Sequence, residues 1–119
     1  MKTKNRINKP WGFEEILETN KNYTVKRLSL KNGHQCSYQY HEFRKETIYA
    51  LSGSLTIVFQ NRKTRLSPGK SFTINPPTLH RMRAEEGDCL YLECSTSELD
   101  DVVRIEDDYG RKNAKKSNK

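Results

Sequence analysis

Gln39, His41 and Glu46 in the stretch QYHEFRKE, with His80 in NPPTLH, are the residues whose types and spacing could do chemistry. Gln39 offers an amide oxygen, Glu46 a carboxylate, and His41 and His80 an imidazole nitrogen each. Such an N2O2 set suits zinc first, and also iron(II), manganese, cobalt or nickel, since ligand type alone does not separate these ions. Only one ligand of the four is charged. A bound divalent ion would keep net positive charge and two open positions, as a Lewis acid for a carbonyl or paired hydroxyls requires. The alternative is that both histidines are ordinary half-buried side chains and that Glu46 pairs with Arg44 or Lys45.

Convergence of those residues demands particular elements. Short apolar or alternating runs fall near 11–17, 23–30, 36–40, 46–51, 54–59, 63–66, 71–74, 80–84 and 89–94. Between them stand turn signals such as Asn32-Gly33, Ser52-Gly53, Pro68-Gly69, Asn75-Pro76-Pro77 and Gly87-Asp88. Val, Ile, Tyr, Phe and Thr dominate the runs, and no sustained 3.6-residue stripe is present. About nine short strands at this rhythm predict an all-β sandwich or barrel. The segment 95–103 could hold a helical turn.

Side chains alternate across a strand, so parity gives orientation. Gln39 and His41 share a face. Glu46 shares one with Ile48 and Ala50, and His80 with Met82 and Ala84. Five residues separate His41 from Glu46, the wrong parity for one straight strand. Residues 42–45 must therefore turn the chain and return Glu46 opposite His41. Lys26 lies on the inward parity of Leu28 and Leu30, which is costly unless it meets an anion. Lys26 is therefore a candidate ligand contact.

Bulk properties exclude other classes. A chain of 119 residues suits one domain with a modest core. No run approaches the roughly 20 apolar residues of a membrane helix, and MKTKNRINKPW lacks the apolar segment of a signal peptide. A cytoplasmic protein is expected. The net charge of +7 sits at the ends: residues 10–110 hold 13 basic and 15 acidic side chains. That distribution gives no basic platform, and nucleic acid is not an expected partner. The expected organisation is a basic extension over 1–8, a domain over 9–111 and a loose basic tail over 112–119. Cys36, Cys89 and Cys94, odd in number and without a CxxC pair, are expected to be reduced thiols in core positions.

Gly33-x5-Gln39-x-His41-x4-Glu46-x6-Gly53 resembles the first cupin motif, with Gln at the usual first His. Gly69-x10-His80 resembles the second. More narrowly, KPWGFEE at 9–15, VKRLSLKNG at 25–33, SYQYH at 37–41 and VVRIEDDYGR at 102–111 resemble the cupin domain of type II mannose-6-phosphate isomerases. The resemblance spans residues 9–111. It departs at Glu42, Phe43, Thr47 and Ile48, where His and aromatics are usual, and at Pro77, where Gly is usual.

The resemblance implies a double-stranded β-helix holding one divalent ion through Gln39, His41, Glu46 and His80. It also implies interconversion of mannose 6-phosphate and fructose 6-phosphate, with Arg111 assisting catalysis. A homodimer is expected by analogy with cupins. The guanylyltransferase domain that commonly precedes this cupin is not in the sequence, so nucleotide-sugar synthesis is not expected of it. Lys26 and Arg111, with Arg44 as a third choice, are the cations for phosphate or an enediolate. A metal-bound hydroxide, Glu93 or Asp107 would serve as base. A non-catalytic sugar-phosphate binder and a metal-dependent oxygenase are the competing readings.

Overall fold

The computed structural model describes residues 5–98 and 100–109. Arg111 and the tail 112–119 lie outside the described residues, as do residues 1–4. Eleven strands and no helix occur among those described. They are β1 (Asn5–Lys9), β2 (Gly12–Thr19), β3 (Thr24–Leu30), β4 (Tyr38–Tyr40), β5 (Glu46–Ser52), β6 (Leu55–Phe59), β7 (Lys63–Leu66), β8 (Ser71–Ile74), β9 (His80–Arg83), β10 (Cys89–Ser95) and β11 (Val103–Glu106).

Two antiparallel sheets face each other. One has the order β1-β2-β3-β10-β5-β8, the other β11-β4-β9-β6-β7. Sequence neighbours such as β5 and β6 lie in different sheets, so the chain winds between layers. Gly53 forms that corner with φ of 72°. A β-carbon there would stand 2.2 Å from the carbonyl oxygen of Asp88, so both conformation and space require glycine. Leu30, Ile48, Leu55 and Ile57 are wholly buried between the layers, each contributing roughly 1.5–3 kcal/mol of transfer free energy.

Parity holds along β3, β5 and β9. Leu28 and Leu30 face inward with Lys26, and Ile48 and Ala50 are buried beside Glu46. Met82 and Ala84 are buried on the side of His80. In β10 the inward positions are Cys89, Tyr91, Glu93 and Ser95. Cys94 is therefore exposed, which corrects its expected core placement; Cys36 and Cys89 are buried, and all three thiols are free.

Strands β1 and β11 were not expected. NRINK has a single apolar residue, but its backbone pairs with β2 from Asn5↔Ile16 to Lys9↔Gly12. The boundary expected between residues 8 and 9 therefore falls inside a strand. On its outer face, Arg6 and Arg27 both reach the Glu15 carboxylate. Where a helical turn was considered for 95–103, the described residues show a bend at Ser97, a turn at Asp100 and then β11, which pairs with β4 through Val103↔Tyr40 and Arg104↔Gln39.

Candidate metal centre

His41 follows β4, Glu46 opens β5 and His80 opens β9. All three are at least 98% buried. Their ligand atoms lie within 4.8 Å of one another. His41 Nε2 is 3.0 Å and His80 Nε2 3.1 Å from the same oxygen, Oε2 of Glu46. Gln39 is the register partner of His80 and lines the same cavity. The structure thus brings together the ligand atoms of His41, Glu46 and His80, with Gln39 on the strand beside His80.

The histidine tautomers decide what this cluster can hold. Nδ1 of His41 stands 2.6 Å from the carbonyl of Asp101, and Nδ1 of His80 stands 2.8 Å from that of Thr78. A carbonyl only accepts, so both Nδ1 atoms carry the proton. In neutral rings both Nε2 lone pairs then point at a carboxylate oxygen, placing three acceptors together. Arg44 Nη2, 3.1 Å from His41 Nε2, serves that nitrogen as a donor, but His80 Nε2 facing the Glu46 oxygen still calls for a cation or an added proton. Backbone anchoring of the far ring nitrogen is also the usual arrangement behind metal-ligating histidines. Among the described residues, Oε1 of Glu46 and Nε2 of His80 have no aligned hydrogen-bond partner despite burial. The donor set fits a metal ion.

Charge shifts have the same origin. Burial pushes the Glu46 carboxyl upward, but the hydrogen bonds and charges of His41 and His80 outweigh it and hold it well below the usual range. Burial alone would depress His80; the Glu46 carboxylate and the Thr78 carbonyl reverse this and raise it. A histidine raised in the folded state stabilises the metal-free fold below its unfolded value, and that contribution is lost as pH rises through the raised value. Metal must displace the same proton. Apparent affinity for Zn2+ should therefore climb about tenfold per pH unit on the acid side and level off above the His80 transition. Competition with a chromophoric chelator from about pH 6 to pH 8 reads this. A flat profile would show that the histidines do not bind the ion.

A cavity of about 240 Å³ opens beside the cluster, between the edges formed by β1 and β11. Lys9, Lys26, Arg44 and Arg104 line it with Glu14, Glu46 and Glu93, alongside Trp11 and Cys36. Lys26 Nζ lies 3.3 Å from Glu14, so this inward lysine meets the carboxylate its parity required. Glu14 itself was missed, although it too occupies an inward position opposite Leu28.

Arg44, the third-choice cation, lines the cavity. It is buried, donating from Nη2 to His41 Nε2 at 3.1 Å and standing 3.6 Å from Glu93. Glu93 is buried on the cavity wall. Burial first, and the Glu46 charge next, push its carboxyl up to about 7 against the pull of Arg44 and Lys26. Asp107 lies beyond β11 and is absent from the cavity lining.

The turn between His41 and Glu46 is held from outside. Backbone N–H groups of Glu42, Phe43 and Arg44 donate to the Asp101 carboxylate at 2.9, 2.6 and 2.9 Å. Burial would raise that carboxyl, but the three donors hold it below its ordinary value. Nothing in the local sequence marked Asp101, because its partners are backbone groups 57–59 residues away. The Pro76–Pro77 peptide ahead of His80 is cis.

Two antiparallel sheets wound together, with His–Glu–His ligand atoms on their inner wall, define a cupin double-stranded β-helix. Solved structures agree on the fold. KdgF from Halomonas sp. superposes with a TM-score of 0.73 at 22% identity, covering 81% of this chain and 90% of that one. A cupin-2 domain from Rhodospirillum rubrum gives 0.74 at 13% identity over 83% and 73%.

Within the cupins, the family described as mannose-6-phosphate isomerase C-terminal matches residues 1–107, and the chain belongs to it. The alginate biosynthesis protein AlgA of Pseudomonas syringae is 30% identical over 112 residues, 91% of this chain and 23% of that protein. The mannose-1-phosphate guanylyltransferase ManC of Salmonella typhimurium is 30% identical over 114 residues, 88% and 23%. The chain thus spans about a quarter of the length of these relatives.

Proposed function

We propose that this protein is a metal-dependent aldose–ketose isomerase acting on a hexose phosphate of the mannose 6-phosphate/fructose 6-phosphate type. The observation that carries the reading is the shared Glu46 oxygen faced by two Nδ1-protonated histidines at 3.0 and 3.1 Å, open to a cation-lined cavity. At about 240 Å³ the cavity lies below the roughly 300–1,000 Å³ of drug-sized sites, which suits one small polar molecule. Family membership supports the choice of substrate.

Gln39, His41, Glu46 and His80 would hold the divalent ion, zinc foremost among zinc, iron, manganese, cobalt and nickel. When bound, the ion supplies Lewis-acid polarisation of the open-chain sugar's carbonyl and neighbouring hydroxyl. Lys26, kept in the cavity by Glu14, binds the phosphate. Glu93 takes the proton from C2; that C–H electron pair becomes the C1–C2 double bond, and negative charge moves to the former carbonyl oxygen. The Arg44 guanidinium, which lines the same cavity, is the cation placed to stabilise that charge. Glu93 then returns the proton to C1, while the C2 hydroxyl proton passes to the C1 oxygen, leaving a ketone at C2 and a hydroxyl at C1. Arg111 enters this scheme through the family resemblance alone.

The test is to incubate metal-loaded protein with mannose 6-phosphate and follow fructose 6-phosphate. Interconversion that stops on chelation and returns with Zn2+ supports the reading. Stoichiometric metal without interconversion would make the chain a sugar-phosphate-binding cupin. Iron(II)-dependent oxygen uptake would make it an oxygenase.

A further inference from the structure

Asp101 ties the metal cluster to the C-terminal strand. It is 7% exposed and stands just before β11. Its carboxylate accepts three of the four N–H groups of the turn that separates His41 from Glu46, those of residues 42–44, and its own carbonyl holds Nδ1 of His41 at 2.6 Å. One residue therefore sets both a ligand ring's tautomer and the path of the chain to the next ligand.

The segment that carries Asp101 is fastened again at its far end. Val103 is buried, and Arg104 pairs in register with Gln39. Beyond β11, Asp108 accepts from Gln35 Nε2 at 2.8 Å and stands 3.9 Å from the buried Arg81. The Tyr109 hydroxyl lies 2.7 Å from His34 Nδ1. Asp108, Tyr109 and their partners Gln35, Arg81 and His34 are not among the candidate ligands. They nevertheless hold the strand that delivers Asp101.

We infer that metal binding and docking of residues 101–109 are coupled, with Asp101 as the positioning residue that links them. This rests on the metal reading given above. When the strand lifts, His41 loses the acceptor that orients its ring, and the turn at 42–44 loses the acceptor for three backbone donors. The undocked state is then a poorer metal site, and apparent affinity falls with the docked fraction. Reciprocity follows from linkage: bound metal must favour docking by the same factor.

Titration with Zn2+ alone, joined to hydrogen exchange by mass spectrometry, tests this. Wild-type protein should show slower exchange over 42–44 and 101–109 on Zn2+ addition. Asp101→Asn should weaken Zn2+ binding about 10- to 100-fold, as outer-shell changes do. The double variant Asp108→Ala/Tyr109→Ala, altered only at the far end, should weaken it at least about fivefold while the metal-free thermal midpoint stays near that of wild type. The double variant keeps the test informative if Asp101→Asn does not fold. Zn2+ affinity unchanged in the far-end variant, or exchange over 101–109 indifferent to Zn2+, would overturn the coupling. Absence of Zn2+ binding by wild-type protein would overturn it too, and would be told apart because the metal reading fails with it.

Discussion

Glu46→Gln and His80→Ala are each expected to yield folded protein without stoichiometric divalent metal and without sugar-phosphate interconversion. Glu46 supplies the one negative charge among four candidate ligands, and its Oε2 is the atom both histidines face. Gln preserves volume and an amide oxygen but removes the charge that draws a dication out of water. His80→Ala removes a nitrogen donor that is 1% exposed. The loss of affinity should exceed the 10- to 100-fold typical of an outer-shell change. Elemental analysis of purified variants and a coupled fructose 6-phosphate assay read both effects. Wild-type metal content in either variant would remove the cluster from consideration as the binding site.

Glu93→Gln should behave differently: metal retained, turnover lost by about 10²–10⁴-fold, the usual worth of a positioned acid–base group. A carboxyl pushed up to about 7 from 4.5 exists in both protonation states near neutral pH, which suits a group that takes a proton and gives it back. The same shift fixes a stability effect. Between the unfolded value and about 7 the folded state holds the extra proton, so stability falls as pH rises through that window. At neutral pH and above, Gln should relieve that burial cost, on the order of 3 kcal/mol at most, less what Arg44 and Lys26 return. The thermal midpoint of Glu93→Gln should thus equal or exceed that of wild type at pH 8 and approach it at about pH 5. Solvent deuterium entering C2 of the sugar at the wild-type rate in the variant would assign the base elsewhere.

These two results separate binding from chemistry; strand parity had already indicated the inward orientation of Glu46 and His80, whereas Glu93 was named only as one possible base. Glu46 was legible because Ile48 and Ala50 share its face, and His80 because Met82 and Ala84 share its own. Lys26 was legible for the opposite reason: a charge at an inward position demands a partner, and Glu14 provides it at 3.3 Å. Arg44 ranked only third among the candidate cations, since its turn has no alternation to orient it. Its burial follows from three N–H groups being drawn onto Asp101.

Alternation and turn residues are local properties, so the chain alone decided that this is an all-β protein and which faces of β3, β5 and β9 look inward. It also marked the four side chains able to meet an ion. Tertiary structure decided what those side chains meet, because contacts such as Asp101 with His41 or Arg81 with the C-terminal strand join residues far apart in sequence, largely through backbone groups that every residue possesses. It likewise made β1 a strand, since an edge needs only a neighbour's free N–H and C=O groups and no apolar pattern of its own.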